Sequence, residues 1–448
     1  MKRIYKYGYQ LIVLSFLAGL AACNTLDVDP ADKTTAEQAF KNKAGIEKGI
    51  LGSYSELQSL SYYGRAYLIT SDLAADNLVH PTDATIADYA EIDNNAILAE
   101  NGVVDEIWAS IYSAINVANS TIDKVPAMAG MTDDEKSAAL GELYFLRGLN
   151  HFNLMNFFGA IPIKTTATVG TKNLDVPRNT TTEVFTQIIT DLTYAEAHLP
   201  ASASTKIRAS KYAATALLAR VYLYQGNYAL AYEKANEVIT KGGYTLLPDF
   251  SIVFAKDGSA ETIFEVQFDA SDRNRIAEYN LPKVLNARGE VKPDPDLVAA
   301  YDASDKRLST TIGQSGTYTY ANKYNDLSTG DKNVIVLRLA EMYLIRAEAD
   351  AHLSTGVVSD VQADINTIRN RAGLANTDAA TMSDLLLAIE KERRLEFAFE
   401  GQRWFDLVRT NRATAVLPGV TKSYKMLFPI PLSELNSNSK MTHNPGYN

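Results

Sequence analysis

Cysteine is almost absent from this chain: Cys23 is the only one in 448 residues, so no disulfide can form within it. Tryptophan is nearly as scarce, with Trp108 and Trp404 against 25 tyrosines, so any broad aromatic surface must be made largely of tyrosine. The five histidines, His80, His151, His198, His352 and His443, are scattered, and no H-x-x-x-H pair gives a zinc site a start. The sequence also lacks a phosphate-cradling P-loop, a G-x-G-x-x-G fingerprint and a G-x-S-x-G elbow. No cofactor is expected. With 53 acidic residues against 43 basic ones and no basic block, the chain has none of the phosphate-neutralising charge that nucleic-acid binding needs.

Long apolar runs are missing too, apart from one at the start. Lys2, Arg3 and Lys6 precede an apolar stretch from Leu11 to Ala22, which is the layout of a secretory signal peptide and too short to span a bilayer. The stretch closes in Leu20-Ala21-Ala22-Cys23, which resembles the bacterial lipobox, in which the cysteine is lipidated and becomes the mature N-terminus. Residues 1–22 are therefore expected to be removed and Cys23 to carry the lipid. Removal takes away three basic residues and no acidic one, so the mature chain is about three charges more negative than the −10 of the whole sequence. Residues 23–40, polar and proline-containing, read as a tether, and 41–448 as one large domain.

What the sequence does have is helical periodicity with small residues aligned on it. In 208–244, Leu217, Leu218, Val221 and Tyr222 line one helix, Gly226-Asn227 makes a turn, and Ala229, Ala231, Ala235 and Val238 line the next. The segment resembles a tetratricopeptide repeat, a helix pair whose small residues permit close stacking. Weaker copies fall at 135–159, 334–374 and 383–411, giving a mainly α fold of about four such pairs. Between them lie two stretches rich in Tyr, Asn, Asp and Gly, 60–95 and 249–330. Long irregular insertions on a rigid scaffold are where binding residues concentrate.

One helical stretch raises a question of chemistry. "ERRLEFAFEGQRWFDLVRT" (392–410) sets Glu392, Glu396 and Glu400 four residues apart, and paired carboxylates are what glycoside hydrolysis uses. Like charges at this spacing repel unless cations lie among them. Arg393 and Arg403 are present, and Arg346 from a neighbouring unit is a candidate third, so a structural ion network is the preferred reading and a hydrolase the remote one.

Five motifs in order carry a wider resemblance. The lipobox region is followed by "VVDEIWASIYSAINVANSTID" (103–123), "ELYFLRGLNHFNLMNFFGAIPI" (142–163), "LRLAEMYLIRAEA" (337–349), the 392–410 stretch and the terminal "HNPGYN". Together they resemble the SusD/RagB family of nutrient-binding lipoproteins. The resemblance implies a tetratricopeptide-like body whose irregular face binds oligosaccharides outside the outer membrane, with a SusC-like TonB-dependent transporter as partner and no catalysis. A peptide-binding repeat scaffold, or a peptide-uptake relative of the family, is the alternative.

Sugar-stacking rings are then sought on the insertions, because both tryptophans fall in repeat-like helices and are expected in the core. The candidates are Tyr62, Tyr63, Tyr67 and Tyr89 in the first insertion, and Tyr279, Tyr318, Tyr320 and Tyr324 in the second. Arg65, Asp72, Asp76, Asn77, Arg273, Asn280 and Arg288 supply forked donors and acceptors for vicinal hydroxyls. Tyr63, Tyr89 and Tyr320, with Asp76 and Arg273, are the first choices.

Overall fold

The computed structural model describes residues 39–170 and 174–447, so the signal peptide, Cys23 and nearly all of the tether lie outside the described residues. Among those described, no helix is long and apolar enough to cross a membrane.

The fold is mainly α, as expected. Its helices begin and end where local chemistry satisfies their free backbone groups. After α1 (Lys43–Ser55), α2 (Ala66–Leu73), α3 (Ala87–Asp93) and α4 (Gly102–Ile122), the long α5 (Asp133–Phe158) starts at a capping box in which Thr132 and Glu135 bond each other's backbone. It stops at Gly159, whose φ of 71° lies in the left-handed region. Thr180 and Glu183 repeat the box at the head of α6 (Thr181–His198). Ser210 caps α7 (Lys211–Gln225), Gly226 ends it at φ 78°, and Asn227 immediately caps α8 (Tyr228–Lys241), so two residues turn the chain through the whole corner.

Successive helices stack side by side from α4 through α8. The chain then leaves for the second insertion and returns to lay α10 (Leu339–His352) against α8, followed by α11 (Val358–Arg371) and α12 (Met382–Phe397). The sharply turned α13 (Arg403–Arg409) comes next, and the short α9 (Ile276–Asn280) belongs to the insertion. In the middle of the stack α7 is buried nearly all round, and Ala213, Ala214, Ala216 and Ala219 are fully enclosed. These methyl-sized side chains let the neighbouring helices approach. Trp404 is wholly buried and Trp108 nearly so, both in the main core.

The strands are short and pair across long sequence separations. β1 (Leu78–Val79) pairs with β3 (Lys292–Pro293), joining the two insertions; β2 (Thr262–Val266) pairs with β6 (Val334–Arg338); β4 (Ile312–Ser315) and β5 (Tyr318–Ala321) form a hairpin.

The three glutamates, two on α12 and Glu400 in the turn after it, are structural, but their partners are not those expected. Glu392, Glu396 and Glu400 are buried in a network with Arg307 and Lys323 of the second insertion, Arg338 at the end of β6 and Arg371 of α11. Glu396 accepts from Arg338 at 2.5 Å, from Arg307 at 3.1 Å and from Arg371; Glu400 accepts from Lys323 at 2.7 Å and Arg338 at 2.9 Å. Glu261, just before β2, bridges Arg338 and Arg371 at 3.0 and 2.9 Å. Burial alone would raise the Glu396 pKa, yet Arg371, Arg338 and Arg307 together hold it well below the usual carboxylate range. Arg393 instead pairs with Asp406, Arg403 with Asp76, and Arg346 with Asp364. For Arg393 the reason is geometric, since a residue one position from Glu392 points to a different side of the helix, while Arg403 and Arg346 sit on other helices, where Asp76 and Asp364 lie within reach.

Glu396→Gln should therefore remove the carboxylate that Arg307, Arg338 and Arg371 share, leaving the buried network with an excess of positive charge, and lower unfolding free energy by about 3–5 kcal/mol. Guanidinium titration followed by circular dichroism measures this. Arg346→Ala, outside the network, should cost clearly less.

Candidate functional site

The first insertion does not hang loose over the helices. Tyr62, Tyr63 and Tyr67 are 0%, 4% and 6% exposed, with their hydroxyls on two asparagines of α5. Tyr62 donates to Asn150 Oδ1 at 2.8 Å and Tyr67 to Asn153 Oδ1 at 3.1 Å, while Asn153 Nδ2 donates to Tyr62 and Tyr63. The rings lie against one another, with Tyr67 against Phe157 and Phe405. These tyrosines are core, and their expected role as open stacking faces is corrected. The helix that follows them, α2, is buried at all eight positions, which a polar-textured segment did not announce.

Asp72, Asp76 and Asn77 are likewise committed inside the protein. Asp72 is fully buried and accepts from Gly401 N at 2.9 Å, Phe399 N at 3.3 Å and Asn77 Nδ2 at 2.6 Å. It thereby holds the turn after α12, where Phe399 has φ 67°, a left-handed conformation rare for a bulky residue. Burial lifts the Asp72 carboxyl to about 6, the three donors offsetting only part of that rise. Asp76 is clamped by Arg403 and Arg394; these arginines outweigh burial and hold its pKa below the ordinary value. Asn77 Oδ1 accepts from Arg394 at 3.3 Å.

Tyr89, Tyr279 and Tyr324 are also buried, contrary to the expectation that they face a ligand. Tyr324 accepts from Ile335 N at 3.1 Å behind the hairpin. Tyr279 packs edge-on to Tyr89 and sits among guanidiniums: Arg65 lies 4.5 Å and Arg288 4.9 Å from its ring centre, and Arg65 Nη1 donates to its hydroxyl at 2.6 Å. This cluster is the pivot on which the insertions meet. Glu290, buried beside it, accepts from Thr85 N at 2.8 Å and Ile86 N at 3.1 Å, and Lys283 Nζ reaches Asp83 at 3.0 Å.

What remains open lies on the outer side of this pivot, in two cavities flanking the loop 281–291. The first, about 220 Å³, draws on both insertions: Pro81 and Asp83 from one, Asn280, Pro282, Val284 and the β4–β5 turn from the other. Tyr318 is 52% and Val284 55% exposed there, giving flat apolar contact area. Asn280 is 4% exposed and its Oδ1 has no hydrogen-bond partner, an acceptor left for a donor that the protein does not supply. The second cavity, about 400 Å³, mixes polar groups such as Asn274, Asn286 and Asp326 with Ala287 and Leu327, and has exposed Arg273 and Arg288 at its rim and Arg275 paired to Glu278. Tyr320 stands half-buried two residues from Tyr318, its ring lying across Gly313, where a Cβ would come within 2.2 Å of it. Of the proposed ligand contacts, the structure brings Tyr318, Tyr320, Arg273 and Arg288 to this face with Asn280, and Arg65 just beneath it. Pro282 and Val284 were missed, and no local pattern in the sequence singles them out. Among the described residues, no group of three or more His, Cys, Asp or Glu is placed to hold a metal ion.

A helical-repeat body that keys two irregular insertions together and leaves a rim of aromatic, amide and guanidinium groups defines a binding protein for polar ligands with flat apolar faces. The comparisons agree. A family model described as starch-binding, associating with the outer membrane, matches residues 25–223, and a second, the SusD family, matches residues 299–418. SusD-like protein P2 of Formosa agariphila is 28% identical over 99% of this chain and 100% of its own length. A SusD superfamily protein from Bacteroides vulgatus superposes with a TM-score of 0.83 at 21% identity, covering 91% of this chain and 100% of that one. A solved laminarin-binding SusD-like protein superposes at 0.79 with 26% identity, over 91% of this chain and all of its own. The chain belongs to the SusD/RagB family, whose members are carbohydrate-binding and associated with the outer membrane.

Asp72 gives a pH test of this architecture. Its carboxyl titrates near 3.8 when unfolded and about 6 when folded, so its contribution to stability is full below pH 4 and is lost as the pH rises through 6. Asp72→Asn removes that loss. The stability difference between variant and parent should therefore move in the variant's favour from pH 4 to 7, by about 3 kcal/mol at most, in denaturant titrations at each pH.

Proposed function

We propose that this chain is a cell-surface glycan-binding lipoprotein, tethered to the outer membrane through lipid on Cys23, that holds an oligosaccharide on the joined insertions and passes it to a SusC-like TonB-dependent transporter without chemical change. The observation that carries the reading is the first cavity: an exposed tyrosine and valine beside a buried, unpartnered amide oxygen, built from both insertions. A pyranose matches it, because its C–H face stacks on Tyr318 while a hydroxyl donates to Asn280 Oδ1. Tyr320 lies two residues along the hairpin from Tyr318, and Arg273 with Arg288, at the rim of the second cavity, offers donors to ring and hydroxyl oxygens. The family's carbohydrate-binding character and the laminarin-binding relative support this choice over a peptide scaffold. A non-catalytic role fits as well, since Glu392, Glu396 and Glu400 are sealed in the interior.

Binding is tested by calorimetric titration against a panel of oligosaccharides that includes laminarin fragments. For a cognate ligand, Tyr318→Ala should cost about 1–3 kcal/mol of affinity. Tyr63→Ala should lower thermal stability and leave the affinity of the folded fraction unchanged. Undiminished affinity in Tyr318→Ala, or retention of peptides with no glycan bound, sinks the reading.

Anchoring is tested separately: Cys23→Ala should move the protein from the membrane fraction to the soluble one, and persistence in salt-washed membranes would place the anchor elsewhere.

A further inference from the structure

The most capacious of the cavities described for this chain is not on the insertions. About 580 Å³ in volume, it is enclosed by the α7–α8 corner, the end of α10, α12 and α13, with no residue from 60–95 or 249–330 in its wall. That size falls within the range of about 300–1,000 Å³ typical of small-molecule sites.

Three features define what it can hold. One wall is a flat aromatic pair, Tyr228 stacked on His352 at 4.1 Å between ring centres and 13° between planes. Facing it are leucines of α12, of which Leu387 is 52% exposed. The floor is a chain of paired charges: Arg409 joins Glu348 at 2.8 Å and Asp406 at 2.9 Å, Arg393 joins Asp406 at 2.8 Å, and Arg412 joins Glu390 at 2.8 Å. Three arginines meet three carboxylates, so the lining is electrically balanced. One donor is left over. Arg393 is 2% exposed, and its Nη1 has no partner, while Nε and Nη2 are engaged by Asp406 and Gln402.

Each class of ligand meets these facts differently. An ion of either sign meets a lining whose three arginines and three carboxylates are already paired, so it finds no net counter-charge to offset the cost of leaving water. A hydrocarbon would cover the polar floor and give Arg393 nothing to bond. A neutral polyol with one flat C–H face stacks on the aromatic pair and turns its oxygens to the floor, accepting from Arg393. We propose that this helix-walled cavity is a second saccharide site, which takes neutral pyranose units by stacking on Tyr228 and hydrogen bonding to Arg393, separate from the site on the insertions.

The experiment is methyl NMR of the purified full-length protein, labelled at leucine and valine methyls, with the methyl glycosides of glucose, galactose, mannose and xylose at millimolar concentrations and sodium glucuronate as the charged comparator. Saturable shifts of the Leu386 and Leu387 methyls are expected from at least one neutral glycoside. Tyr228→Ala should weaken that response about tenfold or more. His352→Ala, at an exposed position, serves the same purpose should the first variant fail to fold. The Val284 methyls report the insertion site independently, so a failure there is read separately from one here. Silence at Leu386 and Leu387 with all four glycosides, a response from glucuronate alone, or a response undiminished in both variants would each overturn the proposal.

Discussion

The second insertion and the last helices of the body are fastened to one row of buried carboxylates. Glu392 and Glu396 on α12 and Glu400 in the turn after it form the row, and five cations from three separate parts of the chain converge on them. Moving such charges out of water costs several kcal/mol per ion, and the cost is recovered only when each finds good partners in low dielectric. A partial set would be worse than none. The strand that brings Arg338, the helix that brings Arg371 and the loops that bring Arg307 and Lys323 must therefore all arrive together. Repeat body and second insertion are consequently joined through one buried network.

The first insertion is fastened by different chemistry. Tyr62, Tyr63 and Tyr67 insert among the helices and satisfy their hydroxyls on Asn150 and Asn153, Asp72 grips the strained turn at the foot of α12, and Glu290 reaches across to cap the backbone at Thr85 and Ile86. The two insertions are thus joined to the body and to each other before any ligand arrives. A rim held this way needs little ordering on binding, which leaves more of the contact energy for affinity. The outermost groups of the insertions, Tyr318, Val284, Arg273 and the β4–β5 turn, stay exposed to solvent.

The same economy explains why so few aromatic residues are exposed in a chain with 25 tyrosines. A tyrosine joins a large apolar ring to one polar atom, so it suits a junction where helices meet loops and an asparagine or backbone group is near. Most of the tyrosines of the two insertions serve in this way. Their abundance reflects how the irregular segments are anchored, and recognition draws on the few that anchoring leaves over.

The sequence by itself determined what depends on neighbours a few residues away: the helices and their caps, the two-residue corner at Gly226-Asn227, the burial of both tryptophans, and the structural nature of three carboxylates too closely spaced to stand without cations. Five ordered motifs were enough to identify the family. Tertiary structure alone decided which cations those were, since Arg307 lies 89 positions from Glu396 and no local spacing selects it over Arg346. It alone also decided which tyrosines face water. Burial is a property of the surface that happens to lie opposite, and for Tyr62 that surface is an asparagine 88 residues further along, on a helix whose approach is set by the packing of the whole stack.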